Sequence, residues 1–141
     1  MKFTKGGNDC FLHVEKGEEI LECITKLCID ENIQCAALSG IGAVNYVEMG
    51  IFGTTTKIYH KRTLEGDFEI VSFGGNITEK DGKPYIHTHI AISDMTYQVC
   101  GGHLNKAVVS ATAEIVIKKL SCSAGREFNE GIGLNLLQFT K

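Results

Sequence analysis

The feature of this sequence that most constrains its fold is a succession of strand-like segments joined by connections too short to hold a helix. From residue 36 onwards, runs with apolar alternation are separated by the turn-forming stretches EGD, EKDGK, SDM and SAG. Parallel neighbours need a crossover of roughly a dozen residues or more, whereas antiparallel neighbours can be joined by a tight turn. The sequence therefore predicts a mostly antiparallel sheet.

One main helix is predicted before most of these strands. In the stretch GEEILECITKLCIDEN, apolar residues recur at steps of three and four, which places them on one helix face. Glu18 and Glu19 lie at the expected N-terminus of this helix, where negative charge is favourable. The residues of the apolar face are Ile20, Ile24, Leu27 and Cys28.

Between six and eight strands are predicted against this one helix. We expect the helix to pack on the sheet, which is an α+β architecture. The predicted strands are Phe11–Glu15, the stretch AVNYVEMGIF, Thr55–Tyr59, Phe68–Gly74, Tyr85–Ile92, Tyr97–Cys100, Val108–Lys118 and Leu134–Phe139.

The composition favours a single domain over residues 1–141. Hydrophobic residues make up 43% and charged residues 22% of the chain, which are values typical of globular proteins. Internal repeats and linkers are absent from the sequence, and Pro84 is the one proline. Apolar runs of about 20 residues, which a membrane helix needs, are also absent, so we expect a soluble protein.

The six cysteines are expected to be thiols. They form no C-x-x-C pair, so neither a zinc ribbon nor a thioredoxin-type motif is indicated. The first ten residues, MKFTKGGNDC, are polar and do not resemble a secretory signal. We therefore expect the protein to be cytoplasmic and most cysteines to be small core residues.

Two sequence features argue against nucleic-acid and dinucleotide binding. The net charge is −3, whereas duplex binding depends on many Lys and Arg contacts to phosphate, and the densest basic run is only KIYHKR. The stretch GIGAVN lacks the third glycine of the dinucleotide fingerprint and is followed by a predicted strand where a helix is required.

Two histidines are separated by one residue in YIHTHIAI. Side chains alternate across a strand, so His87 and His89 share one face while Ile90 and Ile92 point to the other. Cα atoms two positions apart lie roughly 6.6–7 Å from each other. From that span, two imidazole nitrogens can reach one metal at about 2.0–2.1 Å.

A third ligand could come from His103 on the return strand. If residues 94–96 form a three-residue loop, His87 faces His103 on the same side of the sheet. If the loop has two residues, His103 reaches that side only through a bulge at Gly101 and Gly102. Three histidines leave a coordination position open, as catalytic zinc sites do. Cys100 and Asp94 are nearby alternative ligands.

Three segments, SGIGAV, GDFEIVSFGGNI and PYIHTHIAISDMTYQVCGGHL, resemble the PPC domain, the plants and prokaryotes conserved domain. In plants this domain occurs beside AT-hook DNA-binding motifs. The resemblance runs from about Phe11 to the end of the chain, and the ordered combination of motifs is more specific than any one of them. It implies an α+β fold with one helix against a mostly antiparallel sheet, and a homotrimer.

The resemblance also bears on the candidate site residues. His87, His89 and His103 match the H-x-H and G-G-H positions of prokaryotic members. The AT-hook, an Arg-Gly-Arg-Pro type segment, has no counterpart in this sequence. Four further residues fall within family-like segments, although each could equally be an ordinary polar residue of a strand surface or turn: Glu69, Asn76, Glu114 and Arg126.

Three functional hypotheses follow. The first is a homotrimer that binds a divalent metal, with zinc expected, or a small ligand at the three histidines. The second is a DNA-associated regulator or assembly module acting through other chains. The third is a metal-dependent enzyme that activates water, with Glu114 or Glu69 as its acid or base. The acidic pI counts against the second, and the lack of an H-E-x-x-H motif counts against the third.

Overall fold

The chain forms eight strands and one helix over residues 1–139, the part that a computed structural model describes. All eight strands belong to one sheet. The elements in chain order are β1 (Lys2–Gly6), β2 (Asp9–Glu15), α1 (Ile20–Asp30), β3 (Ala36–Gly53), β4 (Ile58–Lys80), β5 (Lys83–Ser93), β6 (Val99–Lys119), β7 (Gly125–Asn129) and β8 (Leu134–Gln138).

Four long strands of this sheet pair in a closed ring. Strand β3 pairs with β4 and β6, and β5 pairs with the same two strands. In residues 1–139 the strand pairs are antiparallel, except for one parallel bridge between Glu79 of β4 and Gly125 of β7. The expected α+β fold, mostly antiparallel with one helix, is therefore confirmed.

The helix α1 lies where the apolar period predicts it. Glu19 caps its N-terminus, because a Glu19 carboxylate oxygen accepts a hydrogen bond from the Glu22 backbone N–H at 2.7 Å. The other Glu19 oxygen accepts from the Ala107 N–H of β6 at 2.9 Å, which ties the helix to the sheet. The buried face consists of Ile20, Cys23, Ile24, Leu27 and Cys28.

The sheet has a core face and an outer face. In β6, Ile115 and Ile117 are almost fully buried, while the alternate residues Glu114 and Val116 are exposed. The same alternation buries Ile90 and Ile92 of β5. Since the helix and the apolar side chains occupy the core face, the outer face is left for the candidate site.

Three strand predictions differ from the structure. Of the predicted strand Thr55–Tyr59 only Ile58 and Tyr59 are in a strand, as the start of β4, because residues 54–57 form the turn between β3 and β4. The EGD stretch does not end a strand either: β4 has one extra residue there relative to β3, a bulge in which Gly66 adopts a φ of +144°. The predicted strands Tyr97–Cys100 and Val108–Lys118 merge into the single strand β6, which begins at Val99, so Tyr97 and Gln98 lie in the loop before it.

Other turns and strand ends agree more closely. Asp81 and Gly82 join β4 to β5 with φ values of 54° and 72°, as a type I′ hairpin turn requires. Strand β8 occupies most of the predicted Leu134–Phe139 segment. Strands β1 and β7 were not predicted, because both are only five residues long and lack a clear alternation.

Most of the cysteines lie in the interior, as is usual for free cysteines. Cys10, Cys23, Cys28 and Cys35 are buried, whereas Cys100 and Cys122 are exposed, and all six are free thiols. The helix of the described chain is too short and too polar to cross a membrane.

Candidate metal centre

His87 and His89 lie on the outer face of β5. Thr88, Ile90 and Ile92 are buried on the opposite face, as the alternation in YIHTHIAI predicts. His87 is half-buried and His89 is exposed. The strand geometry therefore presents both imidazoles on the same side of the sheet.

The loop between β5 and β6 decides where His103 lies. It has five residues, 94–98, and not the two or three considered from the sequence. An Asp94 carboxylate oxygen holds the loop by accepting hydrogen bonds from the backbone N–H and the hydroxyl of Thr96, at 2.8 and 2.6 Å, and from the Gln98 N–H at 3.2 Å. Loops of five and of three residues both have an odd length, so both place His103 on the face of the sheet that carries His87 and His89.

The register pairs His103 directly with His89, whereas a three-residue loop would pair it with His87, two residues away on the same face of β5. The β5–β6 pairing is continuous, so the alternative of a Gly-Gly bulge is wrong. The glycines instead permit close approach: a Cβ at Gly102 would lie 2.7 Å from the Gly50 carbonyl oxygen of β3.

The three imidazoles form a compact cluster. One ring nitrogen from each histidine lies within 4.8 Å of those of the other two. The ring centroids are 5.3 Å apart for His87 and His89, 5.2 Å for His87 and His103, and 5.6 Å for His89 and His103. The histidines that the sequence singled out are thus neighbours in space.

The cluster fits a divalent transition metal. Two nitrogens that each lie about 2.0–2.1 Å from one ion are at most roughly 4 Å apart, so the 4.8 Å bound requires only small ring movements. Imidazole suits zinc and its neighbours in the first transition series, whereas magnesium and calcium prefer oxygen ligands. The donor set therefore matches zinc better than a hard cation.

Arg126 and Asn76 adjoin the cluster. Arg126 lies on β7 and donates from Nη2 to the Asn76 side-chain oxygen at 2.7 Å, and its Nη2 is 3.4 Å from Nδ1 of His87. Its Nε donates to the Thr78 hydroxyl at 3.1 Å. The guanidinium also lies over the Tyr85 ring, 5.1 Å from the ring centroid. The hairpin of β7 and β8 is thereby held against the outer face of β4 and β5.

The environment favours neutral imidazoles. Burial, followed by the positive charge of Arg126 and by the His103 and His89 rings, lowers the pKa of His87 from 6.5 to about 4. Burial and then His89 also lower the pKa of His103. Because a metal binds only the unprotonated ring, both shifts favour the binding-competent form.

A cavity of about 660 Å³ opens beside the histidines. It lies between the outer face of the sheet and the β7–β8 hairpin. Apolar and neutral polar side chains make up most of its wall, and the three histidines and Arg126 face it. The lining includes Ile51, Phe52, Tyr59, Tyr85, Asn105, Leu134, Asn135 and Leu136.

The other candidate residues lie apart from this cavity. Glu69 is exposed and pairs with Ser93 in a different depression, and Glu114 is exposed on β6 opposite His13. Cys100 is exposed three residues before His103, with a side chain that alternation directs to the opposite face of β6. Asp94 is occupied by its loop contacts. The proposed acid or base roles of Glu69 and Glu114 have no support from this placement.

Several polar residues of the cavity were not among the candidate site residues of the sequence, and three of them are Tyr59, Tyr85 and Asn105. Tyr85 and Asn105 lie two residues from His87 and His103 on the same strands, so strand alternation could have indicated both. Tyr59 could not be found in this way, because it belongs to β4 and reaches the site by donating from its hydroxyl to the Asn105 side-chain oxygen at 2.6 Å.

Several solved structures resemble this chain over nearly its whole length. A protein from Bacteroides thetaiotaomicron, described as a candidate DNA-binding protein, is 28% identical with a TM-score of 0.95, and covers 98% of this chain and 96% of its own. A metal-containing protein from Archaeoglobus fulgidus is 31% identical with a TM-score of 0.85, and the match covers 99% of this chain and 97% of that protein. No curated protein sequence matches this chain.

A further similar structure carries the family name itself. It is a plant- and prokaryote-conserved (PPC) protein from Pyrococcus horikoshii, 32% identical to this chain with a TM-score of 0.86, and it covers 99% of this chain and 96% of its own. The Plants and Prokaryotes Conserved (PCC) domain matches residues 1–121, which include the three clustered histidines. The chain therefore belongs to the Plants and Prokaryotes Conserved (PCC) domain family.

Proposed function

We propose that this protein is a homotrimer that binds a divalent metal ion, zinc in the first instance, through His87, His89 and His103, and that a small molecule binds in the adjoining cavity. The observation that carries the proposal is the convergence of three ring nitrogens within 4.8 Å. His87 and His103 both have a lowered pKa, which keeps them neutral and able to ligate an ion at physiological pH.

The number of protein ligands supports a binding role over a purely structural one. Structural zinc sites are closed by four protein ligands, commonly with cysteines, whereas sites that bind a further molecule have three. The three histidines here adjoin a cavity of about 660 Å³, a volume within the range of small-molecule sites. The metal-containing relative from Archaeoglobus fulgidus is consistent with metal binding in this chain.

The homotrimer is proposed from the family resemblance and from the apolar character of the outer sheet face. Phe11 and Val116 are paired across β2 and β6, and they are 48% and 41% exposed. Ile41 lies nearby on β3 and is 60% exposed. Neighbouring exposed apolar residues of this kind are typical of an interface between subunits.

DNA association is the second hypothesis, and it rests on the description of the similar structure from Bacteroides thetaiotaomicron as a candidate DNA-binding protein. The basic run of this chain offers little to a phosphate backbone. Lys57 donates to the carbonyl oxygens of Gly131 and Ile132, and Lys61 pairs with Glu48 at 2.5 Å. Together with the net charge of −3, this favours the metal-binding proposal.

An enzymatic role is the third hypothesis. A hydrolytic metal site would need a positioned acid or base near the histidines. Glu69 and Glu114 lie outside the cavity. Apart from the three histidines, the side chains in the cavity that could give or accept a proton are those of Tyr59 and Tyr85. Binding therefore ranks above catalysis. We also propose a reducing, cytoplasmic location, in which the buried Cys10, Cys23 and Cys28 stay as thiols.

The metal content of protein purified without an affinity tag tests the proposal. Inductively coupled plasma mass spectrometry should find one zinc per chain in the parent after zinc loading and desalting. The triple variant H87A/H89A/H103A should retain none, while H60A, which changes an exposed histidine outside the cavity, should match the parent. Circular dichroism verifies that the variants fold. Equal zinc in the parent and the triple variant would overturn the proposal.

A further inference from the structure

We infer that the cavity beside the histidines is a site for a small carboxylate with an apolar body, and that Arg126 is the residue that binds its charged group. The inference rests on the proposed function, since it concerns the molecule that would bind next to the metal. It is carried by the charge balance of the cavity, by the partners of Arg126 and by the nature of the remaining wall.

The charge balance of the cavity is positive. Within residues 1–139, Arg126 is the one lysine or arginine that lines it, and no aspartate or glutamate does. Several lysines elsewhere in the protein are neutralised by a carboxylate, for example Lys5 by Glu31 and Lys26 by Asp30. A partly buried cation without a counter-ion is costly, so an anionic ligand would be stabilised at this position.

In the described part of the chain the hydrogen-bond partners of Arg126 are all neutral. Besides Asn76 and Thr78, Nη1 donates to the Asn135 backbone oxygen at 3.2 Å, and Nη2 is in contact with His87. These contacts orient the guanidinium without cancelling its charge. A guanidinium has five N–H donors, so one hydrogen on Nη1 is left for a ligand after these four contacts. Arg126 is therefore held in position and still able to bind an anion.

The contact between Arg126 and His87 links the anion site to the metal site. The guanidinium can only donate, so Nδ1 of His87 must accept at the 3.4 Å contact. A neutral imidazole has a single unprotonated nitrogen, and His87 cannot use that lone pair for Arg126 and for a metal at once. When His87 ligates an ion, the Nη2 hydrogen is released towards the cavity. Carboxylate affinity should therefore rise with metal loading.

The rest of the wall selects an apolar body for the ligand. Ile51 and Phe52 of β3 and Leu134 and Leu136 of β8 line the cavity beside the polar cluster. A single arginine and these side chains suit a monocarboxylate with an aromatic or branched carbon skeleton, because a nucleotide would require more phosphate-binding donors. Arg126 and β8 both lie beyond residues 1–121, so this half of the cavity is outside the matched family region.

A matched pair of probes tests the inference by isothermal titration calorimetry. We would titrate 4-phenylbutyrate and its uncharged counterpart 4-phenylbutyramide into tag-free protein, once at saturating zinc and once after treatment with EDTA. Zinc-loaded parent should bind the carboxylate about tenfold or more tightly than the amide, as a charge-assisted hydrogen bond predicts. The preference should be smaller in the metal-free protein.

Two arginine variants complete the experiment. In the metal-free protein R126Q should bring the two affinities to within about twofold, because the glutamine side chain keeps neutral hydrogen bonds but not the charge. With zinc bound, R126Q should clearly lower the preference for the carboxylate, although the ion itself still attracts it. R62Q changes the other arginine of the chain, which is exposed and away from this cavity, and should behave as the parent. Zinc bound to each sample is measured in parallel.

The two proposals fail differently in this experiment. A parent that binds no zinc overturns the proposed metal function. A parent that binds zinc but shows no preference for the carboxylate, or binds neither probe more tightly than in the millimolar range, overturns the anion site while the metal proposal stands. An R126Q variant that keeps the full preference also overturns the role of Arg126.

Discussion

Nη2 of Arg126 lies 3.4 Å from Nδ1 of His87, so a permanent cation borders an imidazole that belongs to the histidine cluster. Burial and this positive charge lower the pKa of His87 to about 4. The contact is between β7 and β5, two strands that are not paired with each other. It has consequences for stability, for metal binding and for the chemistry of the cavity.

The first prediction concerns the pH dependence of stability in metal-free protein. Between pH 6.5 and about 4 the unfolded chain binds a proton at His87 that the folded chain does not, so the free energy of unfolding should decrease as the pH falls through this window. Urea titrations in EDTA should show a smaller decrease for H87N than for the parent. His103 contributes in the same direction and remains in the variant. Identical pH profiles would contradict the placement of His87 beside Arg126.

The second prediction compares two adjacent glycines of β4. A Cβ at Gly75 would collide with the backbone carbonyl oxygen of His87, whereas a Cβ at Gly74 would meet only the Leu38 carbonyl oxygen at 3.5 Å. G75A should therefore lower the free energy of unfolding by about 1–3 kcal/mol and weaken zinc binding, because β5 must move and carries His87 with it. G74A should stay within about 0.5 kcal/mol of the parent.

Urea denaturation and zinc titration of the two variants check this pair. If G75A were as stable as G74A and bound zinc equally well, the close pairing of β4 and β5 at His87 would be wrong.

The two faces of β5 could be predicted from the sequence because they depend only on alternation. His87 and His89 are on one side and Ile90 and Ile92 on the other whatever the neighbouring strands do. The partner of His89 could not be predicted, because it depends on the length of a loop that Asp94 closes through its side chain. One of the two loop lengths considered from the sequence, three residues, shares the odd parity of the observed loop and therefore gives the correct face for His103.

Arg126 illustrates what sequence reasoning could not reach. It belongs to a five-residue strand that no periodicity revealed, and it meets Asn76 and His87 only because the β7–β8 hairpin folds back over β4 and β5. The long strands were divided for a related reason. The EGD stretch has the composition of a turn, but the closed ring of β3, β4, β5 and β6 accommodates it as a bulge within β4.

The third prediction concerns assembly. Static light scattering at micromolar concentration should give about three times the chain mass of 15.4 kDa. V116E places a charge on the exposed apolar part of the outer face and should shift the protein towards smaller species, because burying an unpaired carboxylate in an interface is unfavourable. I29E changes a residue of α1 that is 64% exposed and should leave the mass unchanged. A parent of one chain mass would contradict the homotrimer.

The fourth prediction concerns DNA. At near-physiological salt the protein should show no preference for A·T-rich duplexes and only weak non-specific affinity, because a net charge of −3 leaves little counterion release to drive binding. Fluorescence anisotropy with labelled duplexes checks this. A dissociation constant of about 10 nM, which is in the range of specific binders, would revive the DNA-associated hypothesis.

The most direct test of the central claim is an anomalous difference map at the zinc edge, from crystals of tag-free protein grown with zinc. We expect one peak per chain at about 2.0–2.1 Å from a ring nitrogen of each of His87, His89 and His103. We expect Arg126 to have left Nδ1 of His87 in that structure, since the imidazole lone pair is then used by the ion. A peak at another position, or three rings left as they are with no peak between them, would contradict the account.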